Sequence, residues 1–207
     1  MSDKLLMSRV NGGNSAYKRI ASDFYPTPPE ATQALLDWLA LPKGASVWEP
    51  ACGEGHMVKV LQGNGYSVRA TDIRFGADFL TVDFPVDTID WIITNPPFSL
   101  ADKFIERCAW YERPFALLLK SQYWHAKKRL GLFQECQPTA ILPLTWRPDF
   151  LFKTRGSGSP LMDVMWCVWG SSREQAHTTL YHPLLKPESK LPDYKMAGAK
   201  GNEGEYL

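Results

Sequence analysis

The segment TIDWIIT, residues 88–94, is a nearly continuous apolar run. Such a run is typical of a strand that is buried on both faces of a parallel sheet. Other short apolar runs precede and follow it, and segments with helical periodicity separate them. This alternation predicts an α/β protein with a mostly parallel, doubly wound sheet. The last two predicted strands, TAILPLT and MDVMWCVW, are joined by a loop, and we expect them to form an antiparallel hairpin at one edge.

The length of the chain, 207 residues, suits a single domain with one core. Residues 1–20 are polar and rich in Gly and Asn, whereas residues 183–207 are rich in Pro, Lys and Gly and lack periodicity. We therefore expect a flexible N-terminus over 1–20, a folded domain over 21–182 and a disordered tail over 183–207.

The composition argues against membrane insertion, export and metal binding. No stretch holds the ~20 apolar residues of a membrane span, and the N-terminus lacks the apolar core of a signal peptide, so we expect a cytoplasmic protein. The cysteines lie far apart without a CxxC pair, which predicts reduced thiols and no metal site. These are Cys52, Cys108, Cys136 and Cys167.

A glycine turn follows the first predicted strand. In the segment EPACGEG, Gly53 and Gly55 allow backbone amides to approach a ligand closely, and Asp72 ends the next strand. Ligands of open α/β sheets bind beyond the carboxyl ends of the strands, where these residues stand. The segment lacks the third glycine of the dinucleotide pattern, and Glu49 and Glu54 would repel a pyrophosphate. The pattern favours an adenosine ligand with less negative charge.

The motif TNPPF, residues 94–98, follows the strand TIDWIIT. Pro96 and Pro97 stiffen the backbone and carry no N–H, so this segment offers acceptors only. The side-chain oxygen of Asn95 and the carbonyl of Pro96 could accept both hydrogens of one aromatic amino group, while Phe98 stacks on its ring. Taken alone, Asn-Pro-Pro would more often start a turn, with Phe98 in the core. Its place at the end of a strand favours the binding site.

Five ordered motifs carry a resemblance to a known family. DFYPTP, VWEPACGEG, Asp72, DFL (residues 78–80) and TNPPF resemble the amino-group DNA methyltransferases that use S-adenosylmethionine. More narrowly, they resemble the small N6-adenine enzymes often carried by bacteriophages and prophages. The resemblance covers residues 23–170. It implies a Rossmann-like class I methyltransferase fold and direct in-line methyl transfer to adenine N6 in double-stranded DNA after base flipping, within a bacterial or phage-infected cell.

The same resemblance implies site residues. The implied catalytic residues are Asn95, Pro96, Pro97 and Phe98. The residues implied to bind S-adenosylmethionine are Tyr25, Thr27, Glu49, Gly53, Asp72, Asp78 and Phe79. In this arrangement Glu49 suits the ammonium group of the cofactor, Asp72 its ribose and Asp78 its adenine amine.

The first predicted helix begins near Thr27, in the segment TPPEATQALLDWLA. Thr27 has the position of an N-cap, Pro28 suits the first turn and Glu30 completes a capping box. A helix N-terminus favours a carboxylate, which agrees with the position near the methionine part of the cofactor that the resemblance implies for Thr27.

Contacts to DNA are predicted from basic and aromatic residues. The net charge is only +1, so any such surface must be local. The basic segment, residues 120–129 (KSQYWHAKKR), has no acidic residue and interleaves aromatics with cations. We expect phosphate contacts from Lys127, Lys128, Arg129, Arg147, Lys153 and Arg155. A second stacking ring would be Phe150 or Phe152, and specificity would lie in loops 121–137 and 146–161.

Other functions fit parts of the pattern. The proline motif would serve adenine in RNA equally well, and enzymes that methylate glutamine N5 in proteins share an Asn-Pro-Pro motif that usually ends in tyrosine. Phe98 and the lack of a long N-terminal helical domain argue against the latter. A noncatalytic binding module is the third alternative. No heptad pattern or large apolar stripe indicates an oligomer.

Overall fold

A computed structural model describes residues 25–150, 160, 162–170 and 178–188. In chain order, the strands are β1 (Ser46–Glu49), β2 (Ser67–Ala70), β3 (Trp91–Thr94), β4 (Phe115–Lys120), β5 (Ala140–Pro143), β6 (Val164–Trp169) and β7 (Leu180–Tyr181). They form one sheet in the order β2-β1-β3-β4-β6-β5-β7.

Four α-helices accompany these strands in the described part of the chain. They are α1 (Pro29–Leu39), α2 (His56–Gly63), α3 (Ala101–Trp110) and α4 (Leu130–Glu135). Short 3-10 turns cover Ile73–Phe75, Phe98–Leu100, Tyr123–His125 and Lys127–Arg129. The basic segment therefore contains two 3-10 turns and no continuous helix. None of the described helices combines the length and the apolar character needed to span a bilayer.

The predicted sheet class is confirmed. Strands β1 to β4 pair in parallel, β5 and β7 run in the same direction, and β6 is antiparallel to both of its neighbours. The predicted hairpin of β5 and β6 is present at one end of the sheet, with β6 between β4 and β5 and the two-residue β7 paired beyond β5. Every residue of β6 is buried. A strand that is apolar on both faces is more stable inside a sheet than at its edge.

The sheet also extends past residue 182, where the sequence predicts the end of the domain. Leu184 is buried, its N–H donates to the carbonyl of Pro143, and it bridges to Leu144. The predicted disorder from residue 183 is therefore wrong for this stretch, because Leu184 fills the core beside β5. The predicted flexible N-terminus, residues 1–20, and the tail from residue 189 lie outside the described residues.

Apolar side chains cover both faces of the sheet, as the doubly wound pattern predicts. Ile92 and Ile93 alternate, so that Ile93 packs with α1 and α2 while Ile92 packs with α3. The indole N–H of Trp166, on β6, donates to the carbonyl of Ala31 on α1 at 2.8 Å. This bond ties the first helix to the middle of the sheet and holds the segment before α1 near the strand ends.

The start of α1 differs from the prediction. Pro28 is the N-cap residue, and no side chain caps the helix. The predicted capping box of Thr27 and Glu30 is therefore wrong. Thr27 is 5% exposed, and its hydroxyl accepts a hydrogen bond from Asn95, 68 positions later in the chain.

Candidate active site

A cavity of about 350 Å³ lies beyond the carboxyl ends of β1, β2 and β3. All the residues predicted to bind the cofactor line it, namely Tyr25, Thr27, Glu49, Gly53, Asp72, Asp78 and Phe79. From the proline motif, Asn95 and Pro97 line the same cavity. The parallel strands bring these residues together because their carboxyl ends meet at one edge of the sheet.

The glycine turn after β1 is held by Asp72. Gly53 and Gly55 have φ values of 56° and 74°, which favour glycine over residues with a side chain. The N–H of Gly53 donates to Asp72 Oδ2 at 2.8 Å. Asp72 Oδ1 accepts from the backbone N–H of Arg74 and from its guanidinium. Asp72 therefore fixes the wall of the cavity through bonds to both of its oxygens.

Glu49 is a buried carboxyl group in the cavity wall. It is 2% exposed, and its Oε2 has no hydrogen-bond partner among the described residues. Burial, followed by the nearby charge of Asp72, raises the pKa of Glu49 to about 8. A cationic group in the cavity would supply the missing partner and favour the ionised form of Glu49.

The side-chain amide of Asn95 is held in one orientation. Its Nδ2 donates to the carbonyl of Tyr25 at 2.9 Å and to Thr27 Oγ1 at 3.0 Å. Both hydrogens of the amide are thereby used. Its Oδ1 is buried and has no hydrogen-bond partner within the described ranges. The amide therefore keeps one unused group, the acceptor Oδ1. The two prolines that follow it carry no N–H, so they add no donor there.

Aromatic rings stand beside Asn95. Tyr25 contacts Phe98 with ring centroids 5.8 Å apart and meets the buried ring of Phe150 edge-on at 6.2 Å. The ammonium of Lys120 lies 4.9 Å from the centroid of Phe98. Phe150 is thus near the proline motif, whereas the alternative ring, Phe152, lies outside the described residues. Pro96 is buried, and neither it nor Phe98 belongs to the described lining of the cavity.

The adenine end of the predicted cofactor site contains more residues than those that the sequence predicts. Asp78 Oδ1 accepts from the N–H of Leu80, and Phe79 is only 2% exposed because it packs on Trp48. Ile73 and Leu80 also line the cavity, and Ile73 is 67% exposed. The sequence signal for Ile73 is its position directly after Asp72, the acidic residue at the end of the second predicted strand.

The residues predicted to contact phosphate have different surroundings. Arg129 is 19% exposed, pairs with Asp102 at 3.0 Å and donates to the carbonyl of Tyr123. Arg147 pairs with Asp163 at 2.7 Å. Lys127 is exposed, and the exposed Lys128 lies 3.9 Å from Asp102.

The two arginines thus have acidic partners within the chain, which local sequence does not indicate. Lys153 and Arg155 lie outside the described residues.

All four cysteines are free thiols, as the sequence predicts. Cys52 lies in the glycine turn and is buried. Burial, followed by the charges of Glu49 and Asp72, raises the pKa of its thiol to about 12. A thiol that stays protonated is a poor nucleophile, so Cys52 acts as a small packing residue.

Comparison with known proteins identifies the class of this fold. Neither protein-family profiles nor curated proteins give a match to the sequence. Among solved structures, a protein from Listeria monocytogenes described as a class I S-adenosylmethionine-dependent methyltransferase superposes with a TM-score of 0.56. The two share 16% identity, over 87% of this chain and 72% of the other.

Two further structures belong to restriction systems. The methyltransferase subunit of a type I restriction-modification system from Streptococcus thermophilus has a TM-score of 0.54 and 13% identity over 83% of this chain. A type I modification subunit from Vibrio vulnificus has a TM-score of 0.52 and 12% identity over 91%. This chain spans 48% and 51% of the length of these subunits. The described residues therefore adopt the Rossmann-like fold of class I methyltransferases.

Proposed function

We propose that this protein transfers the methyl group of S-adenosylmethionine to the N6 amino group of adenine in DNA. The observation that carries the proposal is the arrangement of Asn95. Its Nδ2 donates to the carbonyl of Tyr25 and to the hydroxyl of Thr27, and its Oδ1 has no hydrogen-bond partner among the described residues. Asn95 also lines the same cavity as Glu49.

The residues present fit the proposed cofactor. Glu49 offers a buried, unpaired oxygen to an ammonium group, and Asp72 and Asp78 offer carboxylates to ribose hydroxyls and to an adenine amine. Ile73 and Leu80 add apolar surface for a purine ring. The cofactor, when bound, supplies a methyl group already activated on a sulfonium. The chain then needs to position the acceptor and exclude water.

The proposed role of the proline motif is to bind and polarise the amine that accepts the methyl group. The lone pair of an exocyclic nucleobase amine is conjugated with its ring, which makes the amine a weak nucleophile. Acceptance of its hydrogens by Asn95 Oδ1 and the Pro96 carbonyl would favour the pyramidal geometry that frees the lone pair. Phe98, beside Tyr25, is the proposed stacking surface for the base.

DNA is the proposed substrate for two reasons. Two of the solved structures with this fold are subunits of type I restriction systems. The exposed Lys127 and Lys128 are also available to phosphates. Adenine N6 is paired within a duplex, so the reaction requires the base to flip out, which costs a few kcal/mol.

A labelling experiment tests this function. The purified protein is incubated with S-adenosylmethionine carrying a radiolabelled methyl group and, separately, with DNA, RNA or a protein extract. Labelled nucleic acid is then digested to nucleosides and separated. We expect label in N6-methyldeoxyadenosine. Label in the adenine of RNA would show that RNA is the substrate, and label in protein alone would contradict the proposal.

A further inference from the structure

We infer that Thr27 is a positioning residue whose hydroxyl fixes the amide orientation of Asn95, so that Asn95 presents its oxygen to the substrate amine. The inference rests on the proposed function. It assigns Thr27 a role different from contact with the methionine part of the cofactor, which the family resemblance implies.

The geometry begins with the amide itself. Asn95 Nδ2 lies 2.9 Å from the carbonyl oxygen of Tyr25 and 3.0 Å from Thr27 Oγ1. Rotation of the amide by 180° would place Oδ1 against the Tyr25 carbonyl, so that two acceptors would face each other without a hydrogen between them. The rotated amide would also offer Nδ2, a donor, to the substrate amine. The lone pair of that amine is conjugated with its ring, so the amine cannot accept a hydrogen bond from Nδ2.

The Tyr25 carbonyl accounts for one of the two hydrogens, and Thr27 accounts for the other. Without the hydroxyl of Thr27, one buried N–H of Asn95 would lack a partner and the amide would be held at one point only. A buried donor without a partner is unfavourable, because its lost hydrogen bond to water is not replaced, and the amide would therefore populate other orientations.

The local backbone makes the hydroxyl available for this bond. Thr27 lies just before α1, yet Pro28 is the N-cap residue and no side chain caps the helix. The hydroxyl is therefore not consumed by helix capping. The bond between Trp166 and Ala31 anchors the first turn of α1 to β6, which keeps Thr27 beside the end of β3.

The test compares three variants with the wild-type protein in the methylation assay, at saturating DNA and cofactor. Thr27→Val removes the hydroxyl and nearly conserves the side-chain volume, Thr27→Ser retains the hydroxyl, and Thr27→Ala checks the result with a smaller side chain. The matched control is Thr32→Val, because Thr32 is fully buried on α1 and its hydroxyl has no partner among the described residues.

We expect Thr27→Val and Thr27→Ala to lower kcat by about tenfold to a hundredfold, since misplacement of a catalytic group by about 1 Å has effects of that size. Thr27→Ser should restore most of kcat, and Thr32→Val should leave it unchanged. Thermal melting of each variant separates loss of folding from loss of positioning.

A second readout does not depend on activity. In the wild-type protein, the side-chain amide hydrogens of Asn95, identified from the NMR signal that disappears in Asn95→Ala, should exchange with solvent more slowly than in Thr27→Val. An unchanged kcat and unchanged exchange in a folded Thr27→Val would overturn the inference. So would a weakened cofactor Kd with an intact kcat, because the hydroxyl would then serve the cofactor. Failure of the wild-type protein to methylate adenine would instead overturn the proposed function.

Discussion

The cavity wall and the basic segment, which lie at the ends of neighbouring strands, differ in how their side chains are held. In the wall, bonds between distant parts of the chain fix Asp72 to Gly53 and Asn95 to Thr27. In the basic segment, Arg129 is held by Asp102, whereas Lys127 is exposed. Basic residues within a short stretch therefore differ in exposure according to their partners. Only part of the basic segment is available to a ligand.

The largest expected effect tests the wall. Asn95→Ala should lower kcat by about 10²–10³, the range seen when an enzyme loses one group that stabilises the transition state. The cofactor Kd, measured by calorimetry, should change by less than about threefold, since the other cavity residues remain. Asn64→Ala is the control, because the side chain of Asn64 bonds to Gln33 and Val60 and does not line the cavity. Equal activity of Asn95→Ala and wild type would remove Asn95 from the mechanism.

The next effect concerns the charge in the wall. Glu49→Gln keeps the shape of Glu49 and removes its negative charge, so the cofactor should bind about tenfold or more weakly, as expected for loss of a charge-assisted hydrogen bond. Glu106→Gln, at an exposed position of α3 that does not line the cavity, is the matched control. A Kd that is unchanged in Glu49→Gln would show that the ammonium of the cofactor lies elsewhere.

The same carboxyl group predicts how stability depends on pH. Glu49 has a pKa of about 8 in the folded protein and an ordinary value of 4.5, so the folded state holds its proton more tightly than the unfolded state does. Its contribution to stability is present in full below pH 4.5 and is lost as the pH rises towards 8. Glu49→Gln resembles the protonated form at every pH.

Urea denaturation at pH 5, 6.5 and 8 measures this dependence. The free energy of unfolding of Glu49→Gln, relative to wild type, should increase from pH 5 to pH 8. A relative free energy that is constant across this range would contradict the assignment of the raised pKa to Glu49.

Within the basic segment, Arg129 should affect folding more than DNA binding. Arg129→Gln breaks the pair with Asp102 and the bond to the Tyr123 carbonyl, and we expect it to lower the free energy of unfolding by about 1–2 kcal/mol. Lys103→Gln, an exposed change on α3 beside Asp102, is the control and should leave stability nearly unchanged. Full stability of Arg129→Gln would return Arg129 to the candidates for phosphate contact.

The smallest expected effect is that of the exposed lysines. The double variant Lys127→Gln and Lys128→Gln should unfold like wild type but bind DNA more weakly. The slope of log affinity against log salt should become shallower by about one for each lysine that contacts a phosphate. Fluorescence anisotropy over a range of salt concentrations measures this slope. An unaltered slope would place the DNA on another face.

Much of the cavity could be predicted because its residues follow strands. Glu49 ends β1, Asp72 follows β2 and Asn95 follows β3, and the carboxyl ends of parallel strands meet at the same edge. Glycines in a turn and prolines after an apolar run also restrict the backbone locally. These signals lie within a few residues of each other, so they can be read without knowledge of distant contacts.

The interior position of β6, the partner of Arg129 and the bond from Asn95 to Thr27 depend on contacts between distant parts of the chain. The capping pattern of Thr27 indicated a helix N-cap, yet the hydroxyl bonds to Asn95, 68 positions away. The sequence by itself determines a mostly parallel α/β fold in which an acceptor-rich segment follows a strand. Only the tertiary structure decided that Asn95 Oδ1 has no hydrogen-bond partner among the described residues and that Lys127 is exposed. The reason is that the partner of a polar group is the one that the packed chain brings within hydrogen-bond distance.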